Sequence, residues 1–211
     1  MNKAKVSYTR KSFALDDFEN EAWKNCQEIV IDHYWSGVEA EQARQATACL
    51  LWTDEALFVK FTGNQREPLI VHPKPETSEK TIGLWDRDVF EIFLTSDSEG
   101  VYRYFEFEVA PTGEWLDLEI QVLPNGERKL NFEYNSKMQV AAEVSENTIS
   151  AAIKIDWRAF GGKPEAGGIW RGNLFRCIGV GETRGYLAWQ PTKTEIPNFH
   201  VPEKFGYFEF L

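Results

Sequence analysis

Three acids, Asp86, Asp88 and Glu91, lie within six residues of Trp85 in the stretch GLWDRDVFEIFL. An indole plane can cover the apolar C–H face of a sugar ring, and carboxylates accept hydrogen bonds from hydroxyls in a defined direction, so this composition is that of a sugar site. It is equally that of a rim tryptophan with acids in solvent. Glycoside hydrolysis would need two carboxylates about 5 to 9.5 Å apart on either side of the scissile bond. Asp88 and Glu91 are three apart on a candidate strand and leave opposite faces, whereas Asp86 with Glu106 or Glu108 stays open as a pair. No nucleophile motif of the GxSxG type is present. A haem site would want a Met and His axial pair, and the chain holds only Met1 and Met138.

The elements that must position these groups read as strands. From Asp88 to Leu94 the side chains alternate, Val89, Glu91 and Phe93 on one face and Asp88, Phe90, Ile92 and Leu94 on the other, so Glu91 is a carboxylate on an apolar face and needs partners there. In YRYFEFEVAP, Tyr102, Tyr104, Glu106 and Glu108 alternate with Arg103, Phe105, Phe107 and Val109, giving a polar face suited to a ligand wall. Thr47–Thr53 and Ala56–Phe61 predict a hairpin, as do 138–144 and 148–155; Trp115–Val122 is a further strand, and Phe205–Leu211 closes the chain. Asp156 caps one helical turn that Gly161-Gly162 ends. Residues 63–82, with Pro68, Pro73, Pro75 and His72, predict a long loop walling one side of a site, His72 being either a ligand contact or inert. At least nine short strands and no long helical pattern predict one all-β domain over 1–211, an antiparallel β-sandwich of the immunoglobulin-like or jelly-roll-like kind.

Aromatics at 14% suit pleated faces filled by large flat side chains. With 23 bases against 33 acids the net charge is −10, so nucleic acid is not expected as a partner. No apolar run reaches signal-peptide or membrane-span length, so neither an export signal nor a membrane partner is expected. Cys26, Cys49 and Cys177 form no CxxC pair, and the expectation is three small buried hydrophobes rather than a disulfide framework. No cofactor is expected; Asp16-Asp17 and Asp97-Ser98-Glu99 lack EF-hand spacing but leave room for a structural calcium ion.

Taken in order, LWDRDVFEIFL, YFEFEVAPTGEWLD, AAIKIDWRAF, WRGNLFRC, LAWQPT and FHVPEKFGYFEF resemble the family 9 carbohydrate-binding modules and their DOMON-like relatives over nearly the whole chain. The resemblance implies a non-catalytic module in which Trp85 and Trp189 clamp a sugar ring and Glu91 bonds its hydroxyls. Asp86 and Gln190 would add orientation. Where xylanase-attached members carry an Arg and an Asn, this chain has Glu108 and Ala110, so either other groups such as Arg103, Arg171 or Gln190 supply the polar contacts, or the ligand differs, or the fold and clamp are kept without the sugar affinity. Glu91 and Glu108 on neighbouring strands would place two carboxylates in one cleft, needing an arginine, a shared proton or a cation. An arginine bridge from Arg103, Arg171 or Arg176 is the expectation, because its planar fork serves two carboxylates at once.

Overall fold

In the computed structural model, which describes residues 2–10, 12–96 and 101–211, the chain forms fourteen strands and no α-helix among the described residues. They are β1 (Lys3–Tyr8), β2 (Glu28–Ile31), β3 (His33–Tyr34), β4 (Ala46–Trp52), β5 (Ala56–Asn64), β6 (Val89–Thr95) and β7 (Arg103–Val109), then β8 (Trp115–Val122), β9 (Arg128–Asn131), β10 (Gln139–Val144), β11 (Thr148–Asp156), β12 (Ile169–Ile178), β13 (Gly185–Ala188) and β14 (Gly206–Phe210). Hydrogen bonding runs β10-β11-β5-β4-β1-β14-β12-β6-β7-β8-β9, with β2 on β4, and β13 between β12 and β3. All pairs are antiparallel except those of β1, which lies parallel to β14 through residues 3–6 and parallel to β4 through Ser7 and Tyr8. This strand therefore joins the two layers of a β-sandwich along one edge.

The alternation read in the sequence separates two faces of the β14-β12-β6-β7-β8 layer. Phe90, Ile92 and Leu94, Phe105, Phe107 and Val109, and Leu174 and Ile178 point between the layers, where Phe61 of β5 stacks on Phe90 at 5.2 Å. Trp52, Trp157, Trp170 and Phe210 fill one end of this core edge to face. Asp156 caps the single turn Trp157–Phe160 by accepting from the Arg158 N–H, and Gly161 ends it at φ +83, as the local pattern requires. The opposite face of the layer is also apolar, with Val89, Phe93, Leu116, Leu118, Ile120 and Phe175 buried under the segment carrying Phe199 and Phe205.

Cysteine usage differs from the expectation. Cys26, just after a 3-10 turn, and Cys49 of β4 are disulfide-bonded with Cα atoms 5.8 Å apart, and only Cys177 is a free buried thiol. Sequence separation of 23 closes a loop whose restriction stabilises the fold by about 3 kcal/mol in the chain-entropy account. Reduction should therefore lower the melting temperature by roughly 6–12 °C in a chain of this size. Unchanged melting, with three thiols rather than one titratable on unfolding of the unreduced protein, would contradict the pairing.

Candidate ligand-binding site

Trp85 is the one tryptophan of eight that is exposed, and its position follows from the turn it stands on. Gly83, at φ +82, takes the left-handed conformation that L side chains avoid, and starts the 3-10 turn Leu84–Asp86. Leu84 is fully buried in the outer-face cluster and anchors the turn. Trp85 and Asp86 are thereby lifted into solvent at the mouth of a cavity of about 310 Å³, the lower end of small-ligand sizes. Tyr186 of β13, Phe132, Leu130 and Phe199 line the same cavity. Arg184 ties two of these rings together, because its guanidinium donates to the carbonyls of Trp85 and Arg87 and sits 5.3 Å from the centre of the Tyr186 ring.

The floor comes from strand register. Glu91 of β6 pairs directly with Glu108 of β7, and Glu106 lies two residues along on the same face. One oxygen of each carboxylate lies within 4.8 Å of the others, and Glu91 and Glu106 line the cavity while Glu108 is fully buried behind them. Cys177 donates its thiol to Glu91 at 3.3 Å. His200 Nε2 stands 3.8 Å from Glu106, its Nδ1 2.9 Å from the Tyr104 hydroxyl.

The electrostatics follow from this burial. Loss of solvent, then the charge of Glu106, pushes Glu91 up to about 8. Burial raises Glu106 to about 7, and Glu108 is raised well beyond the usual range by burial and by both neighbouring carboxylates. Burial and then Arg128 lower His200 to about 4, so the imidazole is neutral at pH 7 and brings no positive charge to the floor. Since the folded chain holds these acid protons where an unfolded chain has released them, stability is full below the ordinary carboxylate value of 4.5 and is lost as pH rises through about 8. In chelator, the melting temperature should fall between pH 5 and pH 9, and Glu108→Gln should flatten that fall. Parallel curves for the two proteins would contradict the account.

Several expected site residues lie elsewhere. Trp189 follows β13 with the parity of Leu187, so its ring turns into the inner core and stacks on Phe208 at 5.2 Å. Its exposed edge lines a separate cavity with Asn2, His33 and Pro191, so it forms no clamp with Trp85. Gln190 does not line the Trp85 cavity; its side-chain oxygen accepts from the Asn2 backbone N–H. Among the described residues, no arginine forms an ion pair with these carboxylates. Arg103 pairs with Glu119 at 2.5 Å, Arg171 donates to the Pro202 carbonyl at 2.9 Å, and Arg176 is on the inner face, bonded to the carbonyls of Arg44 and Gln45 and to Gln65. Asp88 faces away from the floor and accepts from the N–H groups of Ile70 and Gly179.

Nor does the loop after β5 wall the cavity: none of residues 65–82 lines it, and exposed His72 is bonded to Lys74, two residues along. That wall comes instead from Pro197, Asn198, Phe199 and His200, which carried no periodic signal. The expected calcium loop at Asp97-Ser98-Glu99 lies outside the described residues. Among the described residues, the three glutamates are the one group of acid, His or Cys side chains spaced to share an ion.

The family described as carbohydrate family 9 binding domain-like matches residues 15–210, all but the two ends of the chain. The chain belongs to this family. Among solved structures, the family 9 fold recurs in a candidate carbohydrate-binding protein from Bacteroides uniformis, at a TM-score of 0.75 and 17% identity, covering 99% of both chains. A family 9 carbohydrate-binding module from Caldicellulosiruptor kristjanssonii in complex with cellotriose superposes with a TM-score of 0.67 and 17% identity over 99% of this chain and 93% of that one. A family 9 carbohydrate-binding module from Caldicellulosiruptor kristjanssonii in complex with glucose gives 0.65 at 17% identity, over 100% of this chain and 96% of that one. No curated protein matches the sequence.

Proposed function

We propose that this family 9 domain is a non-catalytic carbohydrate-binding module whose ligand lies against Trp85 in the cavity over Glu91 and Glu106. One observation carries the reading: an exposed indole and the Tyr186 ring border the same cavity, whose floor is hydrogen-bonding carboxyl groups. Removing even a hundred or so Å² of apolar sugar surface from water contributes about 2–3 kcal/mol at 25 cal/mol per Å². Carboxyl groups then discriminate among hydroxyl arrangements, which stacking cannot do. Family membership and the cellotriose and glucose complexes of Caldicellulosiruptor family 9 modules support carbohydrate as the ligand class.

Hydrolysis is the weaker reading. A glycosidase places its two carboxyl groups on either side of the bond it cleaves. Here Glu91, Glu106 and Glu108 occupy adjacent strands of one floor, within 4.8 Å of one another. Tryptophan fluorescence during titration with glucose, cellotriose and a panel of other oligosaccharides tests the proposal. Saturable quenching by at least one sugar, absent in Trp85→Phe or weakened there, is the expected result. No response to any sugar, with the protein folded, would overturn it. Neutral glucose is expected to bind no tighter than about millimolar, near −4 kcal/mol, because the floor lacks a cationic donor.

A further inference from the structure

We infer that Glu91, Glu106 and Glu108 form a binding site for a divalent cation of calcium size at the floor of the Trp85 cavity. Three independent carboxylates offer oxygens within 4.8 Å of one another, and that limit is twice a Ca²⁺–oxygen distance of about 2.4 Å. A second observation concerns the hydrogen bonding of these groups. Both oxygens of fully buried Glu108, and one oxygen of Glu106, are shielded from solvent yet receive no donor from any described residue. Buried acceptors of this kind are costly unless something positive or protic faces them.

The surroundings supply no such charge. Among the described residues, no lysine or arginine forms an ion pair with the three glutamates. Arg184, whose charge acts on Glu91, is committed to the carbonyls of Gly179, Trp85 and Arg87. His200 is held neutral, and the thiol of Cys177 donates only to Glu91. Asp86, at the cavity mouth, adds a further negative charge.

Calcium suits this set better than magnesium. Ca²⁺ accepts six to eight oxygens in flexible geometry at 2.3–2.6 Å, whereas Mg²⁺ demands a near-octahedral shell at about 2.0–2.1 Å and keeps its waters. The carboxylates can give up to six oxygens from one side. Glu91 and Glu106 open onto the cavity, so the remaining positions face the place where a ligand would lie. Hydroxyl oxygens of a bound sugar can complete the shell, a step that rests on the carbohydrate reading, whereas the ion site itself does not.

Calorimetric titration of CaCl₂ into chelator-treated, buffer-exchanged protein tests the site. One equivalent should bind with a Kd of roughly 1–100 μM, with Mg²⁺ at least tenfold weaker. Glu108→Gln and Glu106→Gln should each weaken Ca²⁺ at least tenfold, with the melting temperature in chelator establishing that each variant is folded. Absence of Ca²⁺ binding, or binding that both folded variants retain unchanged, would overturn the inference. Cellotriose titrated with and without Ca²⁺ separates the two claims. If Ca²⁺ binds and no sugar does in either condition, the ion site stands and the carbohydrate reading falls; if sugar binds and Ca²⁺ does not, the reverse holds.

Discussion

Trp85→Ala is expected to lower the affinity of the best oligosaccharide ligand by about 30-fold or more, the equivalent of about 2 kcal/mol of lost apolar contact. The melting temperature should move by no more than about 1–2 °C, since substitutions of exposed side chains usually stay within ±0.5 kcal/mol. The two effects separate because Trp85 belongs to none of the three core clusters. Leu84, buried beside it, keeps the turn in place when the indole is removed. A ligand that needs only the carboxyl floor would bind Trp85→Ala as well as the parent, and calorimetry of the pair distinguishes the cases. Parent-like affinity in the variant would show that the indole is not a wall of the site.

Trp189→Ala is expected to do the opposite. Its ring is buried in the inner core, stacked on Phe208, and close against Gly206, where an added Cβ would meet it at 2.6 Å. Truncating a buried tryptophan costs about 3–5 kcal/mol through lost contact and the void left behind. At roughly 2–4 °C per kcal/mol for a chain of this length, the melting temperature should fall by about 6–20 °C. Below that temperature the folded fraction should keep its ligand affinity, because Trp189 does not line the Trp85 cavity. Full stability with lost binding would restore Trp189 to the site and contradict the packing described here.

This contrast also marks how much of the site could be read from residue order. The alternation in DVFEIFL and YFEFEV places Glu91, Glu106 and Glu108 on the outer face, and the β4–β5 and β10–β11 hairpins are visible in their apolar runs and turn residues. The signal for Trp189 was of the same kind. Leu187 and Trp189 share one parity and Tyr186 and Ala188 the other, so a strand through LAW sends its indole to the face opposite Tyr186. The family likeness placed Trp189 in the site, whereas the alternation says only that Trp189 and Tyr186 leave opposite faces.

What lay beyond the sequence is chiefly register and long-range contact. That Glu91 faces Glu108 depends on where the β6–β7 connection turns, and a shift of one residue would send a whole face to the other side. Arg176 and Cys177 are neighbours, yet one enters the inner core and the other touches Glu91, which decides that no arginine reaches the carboxylates. The Cys26–Cys49 bond joins a loop to a strand, and no spacing rule marks such a pair. Asn198, Phe199 and His200 come from an irregular segment, placed on the outer face by contacts such as Phe199 stacking on Phe175 at 4.0 Å. Local patterning has no access to contacts of that range.

The central claim, that a carbohydrate lies against Trp85 over the glutamate floor, is tested most directly by a crystal structure of the protein with the tightest-binding oligosaccharide from the titration panel. The account predicts a sugar ring against the Trp85 indole, with hydroxyls directed at Glu91 and Glu106. A sugar seated instead beside Trp189, Asn2 and Pro191, or anywhere that leaves Trp85 and Tyr186 in solvent, would contradict it.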